Sequence, residues 1–205
     1  TVILLTIKPQ SRAEVITNIR DHVEREVLVI SVLAGITSER LQLGFGQDQP
    51  VIRAMPNTPA LVGAGVTGIW SRDDRAMDRA AELFSAVGEV VRLADESEFD
   101  ALTAVSGSGP AYVFSAIEAF ADGAVAEGLD RETAMTLVVE TIRGAAELAK
   151  QTGDHPGALK DAVTSPGGTT AAPKTMSTED DDTENEADAA EDEEVEDEED
   201  IEYFV

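Results

Sequence analysis

The sequence predicts an α/β fold, a partial parallel sheet with crossover helices followed by an all-helical region, and three observations carry that prediction. Continuous apolar runs recur near the start at the spacing of βαβ units, in "TVILLTI" and "VLVISV". From Asp95 the apolar residues recur at helical instead of strand spacing. From Ser177 the chain turns to nearly unbroken acid. The 205 residues therefore divide into a sheet-forming part over 1–94, a helical part over 95–172 and an acidic tail over 173–205. The tail is expected to be disordered, because it has too little apolar surface to offset chain entropy.

Each element follows from its own signal. Val2 to Ile7 is an unbroken apolar run stopped by Lys8-Pro9, which reads as a strand buried on both faces. Val15, Ile16, Ile19 and Val23 then share one helical face, and Val27 to Val32 is a second buried strand. A short helix is expected over Ser38 to Leu43. A third strand runs through "PVIRAMP" into a proline-bracketed loop, and "GVTGIW" is a fourth. Ala76, Met77, Ala80, Leu83, Phe84 and Val87 make an amphipathic helix closed by Gly88, followed by the strand "EVVRL". Helices are expected over "SEFDALTAVSG", from Pro110 to Gly128, from the cap Asp130 to Gly153, and from Pro156 to Val163.

Composition narrows the functional classes. The formal charge is −26, but residues 177 to 205 hold 17 of the 41 acids and no base. The remaining body sets 24 acids against all 15 bases, a balance of −9 that is compatible with folding. Eleven of those bases are Arg and four are Lys, a bias that with the acidity suits a surface adapted to high salt, a halophilic pattern. The absence of any basic stripe argues against nucleic-acid binding. With no Cys, disulfides, thiolate chemistry and Cys-ligated metal are excluded. No apolar run reaches bilayer-spanning length, and a cytoplasmic location follows by default.

Four loops stand out. Lys8-Pro9 falls at the carboxyl end of a strand, where open α/β sheets bind ligands, although a strand stop with an exposed lysine looks the same. Asn57-Thr58 in "MPNTPA" falls on the same edge, with a plain turn as the alternative. "SGSGPAY", 106 to 112, puts hydroxyls where the helix dipole favours an anion, or simply lets two helices pack closely. "SPGGTT", 165 to 170, offers successive backbone N–H groups and two hydroxyls to a carboxylate. His22 and His155 read as structural. Asp95, Glu96, Glu98 and Asp100 read as helix-start charges. No catalytic triad, metal cluster or phosphate-loop lysine is present, so chemistry on a bound cofactor is the economical enzyme reading.

Taken in order and spacing, Ile7-Lys8-Pro9-Gln10, Ala34-Gly35-Ile36-Thr37, Arg53 to Ala60, Leu61 to Val66, Ser106 to Tyr112 and Thr164 to Thr170 resemble the pyrroline-5-carboxylate reductase family over residues 1 to about 171. The resemblance implies that 1–94 is the C-terminal part of a Rossmann-type NAD(P)-binding domain and 95–172 a helical dimerisation and substrate domain. It implies reduction of 1-pyrroline-5-carboxylate to L-proline with NADP or NAD as coenzyme, in a homo-oligomer built on a helical dimer. Lys8, Pro9, Ala34, Asn57 and Thr58 match coenzyme-lining positions. Ser165, Gly167, Gly168, Thr169, Thr170 and Ser108 match the substrate side, with Thr170 as the catalytic hydroxyl at the ring nitrogen. The family's G-x-G-x-x-G phosphate turn would precede Thr1. Where the family continues into a long apolar helix, this chain has Ala171-Ala172-Pro173 and then acid, so an incomplete or inactive form is expected. The contrasting expectation is a non-catalytic helical oligomerisation or interaction protein with an acidic tail.

Overall fold

The computed structural model describes residues 1–164; the expected disordered tail lies outside them. Residues 1–153 form one compact unit, and a second begins at Asp154. Five strands make one sheet in the order β1 to β5: β1 Val2–Leu5, β2 Leu28–Ser31, β3 Val51–Pro56, β4 Gly65–Trp70 and β5 Gly88–Arg92. β1, β2 and β3 are parallel, in the register Leu4 to Ile30 and Ile30 to Ile52. β4 runs antiparallel to β3, and β5 parallel to β4.

Linker length explains the one reversal. Only residues 57–64 separate β3 from β4, and a parallel crossover needs a dozen or more. Residues 71–87 separate β4 from β5, enough to house a helix, and those strands are parallel. The sheet is thus mostly parallel with one antiparallel joint, a detail that hydrophobic periodicity does not encode.

Helices cover both faces. α1 (Arg12–Ile19) and α2 (Ser38–Phe45) supply Ile16 and Leu41 to a core with Leu5, Val29 and Val51. α3 (Asp74–Ser85) supplies Ala76, Ala80 and Phe84 to the opposite core with Leu28, Ile30, Ile52, Ala54 and Ile69. Alternate residues of β2 therefore enter opposite cores, which is why its apolar run is continuous. The Asp73 carboxylate accepts from the N–H groups of Arg75 and Ala76 and starts α3.

After β5 the chain becomes helical. A 3₁₀ turn over Glu96–Glu98 leads into α4 (Phe99–Leu102) and a π-turn over Thr103–Gly107. The expected single helix over "SEFDALTAVSG" is thus three short pieces. α4 lies hard against the sheet: a Cβ on Gly68 of β4 would meet Leu102 Cδ2 at 2.2 Å. The long helices α5 (Gly109–Ala126) and α6 (Arg131–Thr152) pack on each other, α6 opening at the Asp130 cap and ending at Gly153 with φ +68°. In the second unit, α7 (Pro156–Val163) begins where His155 Nδ1 accepts from the Gly157 N–H at 3.1 Å. That settles His155 as a cap, while His22 is exposed in a 3₁₀ turn.

Candidate functional site

Parallel strands send their exit loops to one edge, so β1, β2 and β3 open side by side. After β1 come Lys8 and Pro9, both exposed, with the Lys8 carbonyl accepting from the Ser11 N–H at 3.0 Å to form a tight turn. After β2 come Ala34 and Gly35; the latter has φ +70°, a conformation that favours glycine. After β3 come Asn57 and Thr58, which open a 3₁₀ turn over Thr58–Val62. Lys8, Pro9, Ala34 and Thr58 all face solvent, leaving this edge open to a ligand.

The helical segment closes one side of that edge through a buried charge cluster. Glu96 Oε1 accepts from the Ser38 N–H at 2.6 Å and from Arg53 Nη1 at 3.0 Å, and Glu96 Oε2 accepts from Ser38 Oγ at 2.7 Å. The Arg53 and Glu96 side chains are only 9% and 19% exposed. The Arg53 guanidinium also stacks 4.0 Å from the Phe99 ring centroid. A carboxylate from the turn that follows β5 thereby helps cap α2, where the dipole favours negative charge. Gly35, Thr37, Arg53, Glu96, Ser97 and Asp100 line a cavity of about 390 Å³ beside the β2 exit loop.

Among the four acids read as helix-start charges, Asp95 fits: it accepts from the Ser97 N–H at 2.8 Å and Ser97 Oγ at 2.6 Å, and these bonds hold its carboxyl below the usual aspartate value. Glu98 accepts from the Ala94 N–H at 3.0 Å. Glu96 instead reaches across 43 residues of sequence to Arg53. The only sequence signal for this was an arginine inside an otherwise apolar strand, which needs a buried acid somewhere.

A second tie joins the β3 exit loop to the helical segment. Asn57 Oδ1 accepts from the Val66 N–H at 2.9 Å, and Asn57 Nδ2 lies 3.3 Å from the Ser106 carbonyl and 3.4 Å from Ser106 Oγ. This draws the "SGSGP" bend, with half-buried Ser108 at the start of α5, to the loop that carries Thr58. Lys8, Pro9, Ala34, Asn57 and Thr58 thus share one edge, and the bend bearing Ser108 is tied to it. Ser165, Gly167, Gly168, Thr169 and Thr170 lie outside the described residues. Gly63-Ala64-Gly65-Val66-Thr67-Gly68 matches G-x-G-x-x-G as letters, but it leads into strand β4, not a helix, so it lacks the context of a dinucleotide fingerprint.

A mostly parallel sheet with an open carboxyl edge, roofed by a helical segment and continued by a helical hairpin, defines the class of Rossmann-like folds with an appended helical domain. Within that class the chain belongs to the pyrroline-5-carboxylate reductase family. The family described as pyrroline-5-carboxylate reductase dimerisation matches residues 96–191. The pyrroline-5-carboxylate reductase of Synechocystis sp. is 51% identical over 174 residues, covering 83% of this chain and 64% of that protein. The Arabidopsis thaliana reductase is 48% identical over 177 residues, with 83% and 62% covered. Among solved structures, a Coxiella burnetii pyrroline-5-carboxylate reductase superposes with a TM-score of 0.77 at 38% identity, covering 83% of this chain and 64% of that one. The Plasmodium falciparum pyrroline carboxylate reductase, solved with NADP bound, gives 0.76 at 34% identity, covering 83% and 65%. The chain spans a little under two thirds of the length of these relatives.

Proposed function

We propose that this protein serves the NAD(P)H-dependent reduction of 1-pyrroline-5-carboxylate to L-proline. The observation that carries the reading is the shared edge: Lys8, Pro9, Ala34 and Thr58 lie exposed on three adjacent exit loops, and Asn57 joins that edge to the Ser108 bend. The open face and the 390 Å³ cavity beside it leave room for a nicotinamide coenzyme. Held along the edge of Lys8, Pro9, Ala34 and Thr58, the reduced coenzyme, NADPH or NADH, would supply the hydride that C5 of the cyclic imine accepts. The C=N electron pair passes to the ring nitrogen, which is protonated and ends as the amine of proline.

The protein's part is positioning. By the family motif, backbone N–H groups of Ser165, Gly167, Gly168 and Thr169 are assigned to the substrate carboxylate, and Ser108 is assigned to the same substrate. The Thr170 hydroxyl meets the ring nitrogen. A neutral hydroxyl there orients the iminium without competing for its charge, and no dedicated proton-transfer side chain is needed. Residues 1–94 act as the coenzyme part and 95–172 as the substrate and dimerisation part. Spectrophotometric NADPH oxidation with pyrroline-5-carboxylate tests the reading. Imine-dependent turnover by a protein carrying these residues together with a family-type N-terminal phosphate turn and C-terminal helix supports it, and absence of both turnover and NADPH binding in that protein removes it.

The helical hairpin favours self-association as part of the same function. Across the 18 residues of α5 and the 22 of α6 only Ala121 and Ala134 are buried, while Tyr112, Phe114 and Phe120 are each more than 60% exposed. So much bare aromatic surface suits a second copy of this chain. A non-catalytic interaction protein would use the same surface, and NADPH binding separates the two. No helix among the described residues is long and apolar enough to cross a membrane. The acidic, base-poor surface fits a salt-adapted cytoplasmic protein without nucleic-acid partners.

A further inference from the structure

Pro110 leaves a specific vacancy in the backbone bonding of the "SGSGP" bend. In a continuing helix the Ser106 carbonyl would accept from the N–H of residue 110, but proline has none. The next N–H does not serve either, since Ala111 donates to the Ser108 carbonyl at 3.0 Å. The π-turn takes the Ser108 N–H back to Thr103 at 2.9 Å. Ser106 is half-buried, and an unmet carbonyl there carries a desolvation cost. The donor that reaches it is Asn57 Nδ2, 3.3 Å away, which also approaches Ser106 Oγ at 3.4 Å.

The other end of the same amide is committed as well. Asn57 Oδ1 accepts from the Val66 N–H at 2.9 Å and so closes the base of the loop that carries Thr58. Although Asn57 stands at the cap position of the 3₁₀ turn, its side chain makes no capping bond. Both ends of the amide point into the protein, and one carboxamide bridges two loops that sequence motifs assign to coenzyme and to substrate. π-Turns are concentrated at functional sites, where they aim a segment that a regular helix could not.

We infer that Asn57 is a positioning residue, not a coenzyme contact: by replacing the N–H that Pro110 lacks, it holds the Ser106–Ala111 bend in register with the 57–66 loop and so sets the imine-binding side against the nicotinamide side. This rests on the reductase reading for its catalytic consequence, but the tie itself is independent of that reading. Asn57→Asp keeps an acceptor for the Val66 N–H, yet as a carboxylate it presents no donor to Ser106 and repels its carbonyl. Protonation returns a donor. Pro110→Ala supplies the missing backbone N–H in place.

The test combines steady-state kinetics, NADPH binding and amide hydrogen exchange on the purified protein and on N57A, N57D, P110A and the N57A/P110A double variant. Asn57→Ala is expected to lower kcat at saturating NADPH and imine roughly five- to thirty-fold, as for one buried hydrogen bond. NADPH affinity should stay within about three-fold, and exchange should quicken at Ser108 and Ala111. The double variant should recover much of both losses, and N57D should regain activity relative to the parent as pH falls towards the usual carboxylate range. A ten-fold or greater loss of NADPH affinity in N57A with kcat and exchange unchanged would overturn the inference and make Asn57 a coenzyme contact. A double variant no better than N57A would overturn it too. A parent protein that neither binds NADPH nor turns over, the outcome expected of an incomplete form, leaves the exchange data to decide the tie alone: faster exchange in N57A reversed by P110A sustains it, and unchanged exchange overturns it.

Discussion

Glu96 shows how one side chain can join two parts of a fold. It satisfies Arg53, the Ser38 N–H and the Ser38 hydroxyl together, in a cluster where both charged side chains are largely buried. Removing the carboxylate leaves a buried guanidinium without its counter-charge, a larger effect than the pair's own net worth. Glu96→Ala is therefore expected to destabilise the protein by about 3 kcal/mol in urea unfolding. A midpoint unchanged from the parent would mean that Arg53 finds water or another acid. Thr170 carries a prediction of a different kind, because its assignment comes from the family motif. In a restored chain carrying a family-type N-terminal half and C-terminal helix, Thr170→Ala should cut imine reduction roughly ten- to 150-fold while leaving NADPH binding nearly intact, as for a hydrogen bond to a charged group expressed in the transition state. Equal turnover in the two proteins would take Thr170 out of the mechanism.

At the scale of elements, most of the fold was legible in local signals and the exceptions have a common cause. The five strands and the long helices lie close to where apolar period, the Asp130 cap and the Gly153 stop put them, but β1 is not buried on both faces, since Val2 and Leu4 are exposed, and α3 ends at Ser85, short of Gly88, which opens β5. The direction of β4 was not legible in its own residues, since a strand's pattern is the same either way round. The linker over 57–64 did encode it, through its length. The break-up of "SEFDALTAVSG" was hidden for another reason: a π-turn is stabilised by what it meets, here Asn57 and the sheet. Asp130 offers a test of a cap. Hydrogen bonds from Thr133, through its side chain and then its backbone N–H, hold the Asp130 carboxyl below the usual 3.8. A carboxyl depressed in the folded state stabilises fully above its unfolded value and loses that contribution as pH falls through the lower, folded value. Exchange protection in the first turn of α6 should consequently weaken below about pH 4, and Asp130→Asn, a neutral cap of similar strength, should flatten that dependence. Protection that tracks pH identically in both proteins would show that Asp130 is not the titrating group.

For the whole molecule, charge is the property that sequence states most directly. The body carries 24 acids against 15 bases, and the described ion pairs outside the Arg53–Glu96 cluster, such as Lys150 with Glu89 and Arg92 with Asp78, are exposed and subject to screening. If repulsion among the unpaired carboxylates dominates, the thermal midpoint should rise as KCl is increased into the molar range. A midpoint indifferent to salt would reject salt adaptation. The sequence by itself determined the strands, the long helices and the family, because apolar period, caps and contiguous motifs are local properties carried by neighbouring residues. Only the tertiary structure decided that Glu96 partners Arg53 and that Asn57 completes the bonding of a bend 49 residues away. Those partners are chosen by which polar groups remain unsatisfied once strands and helices have packed, and that remainder exists only in three dimensions.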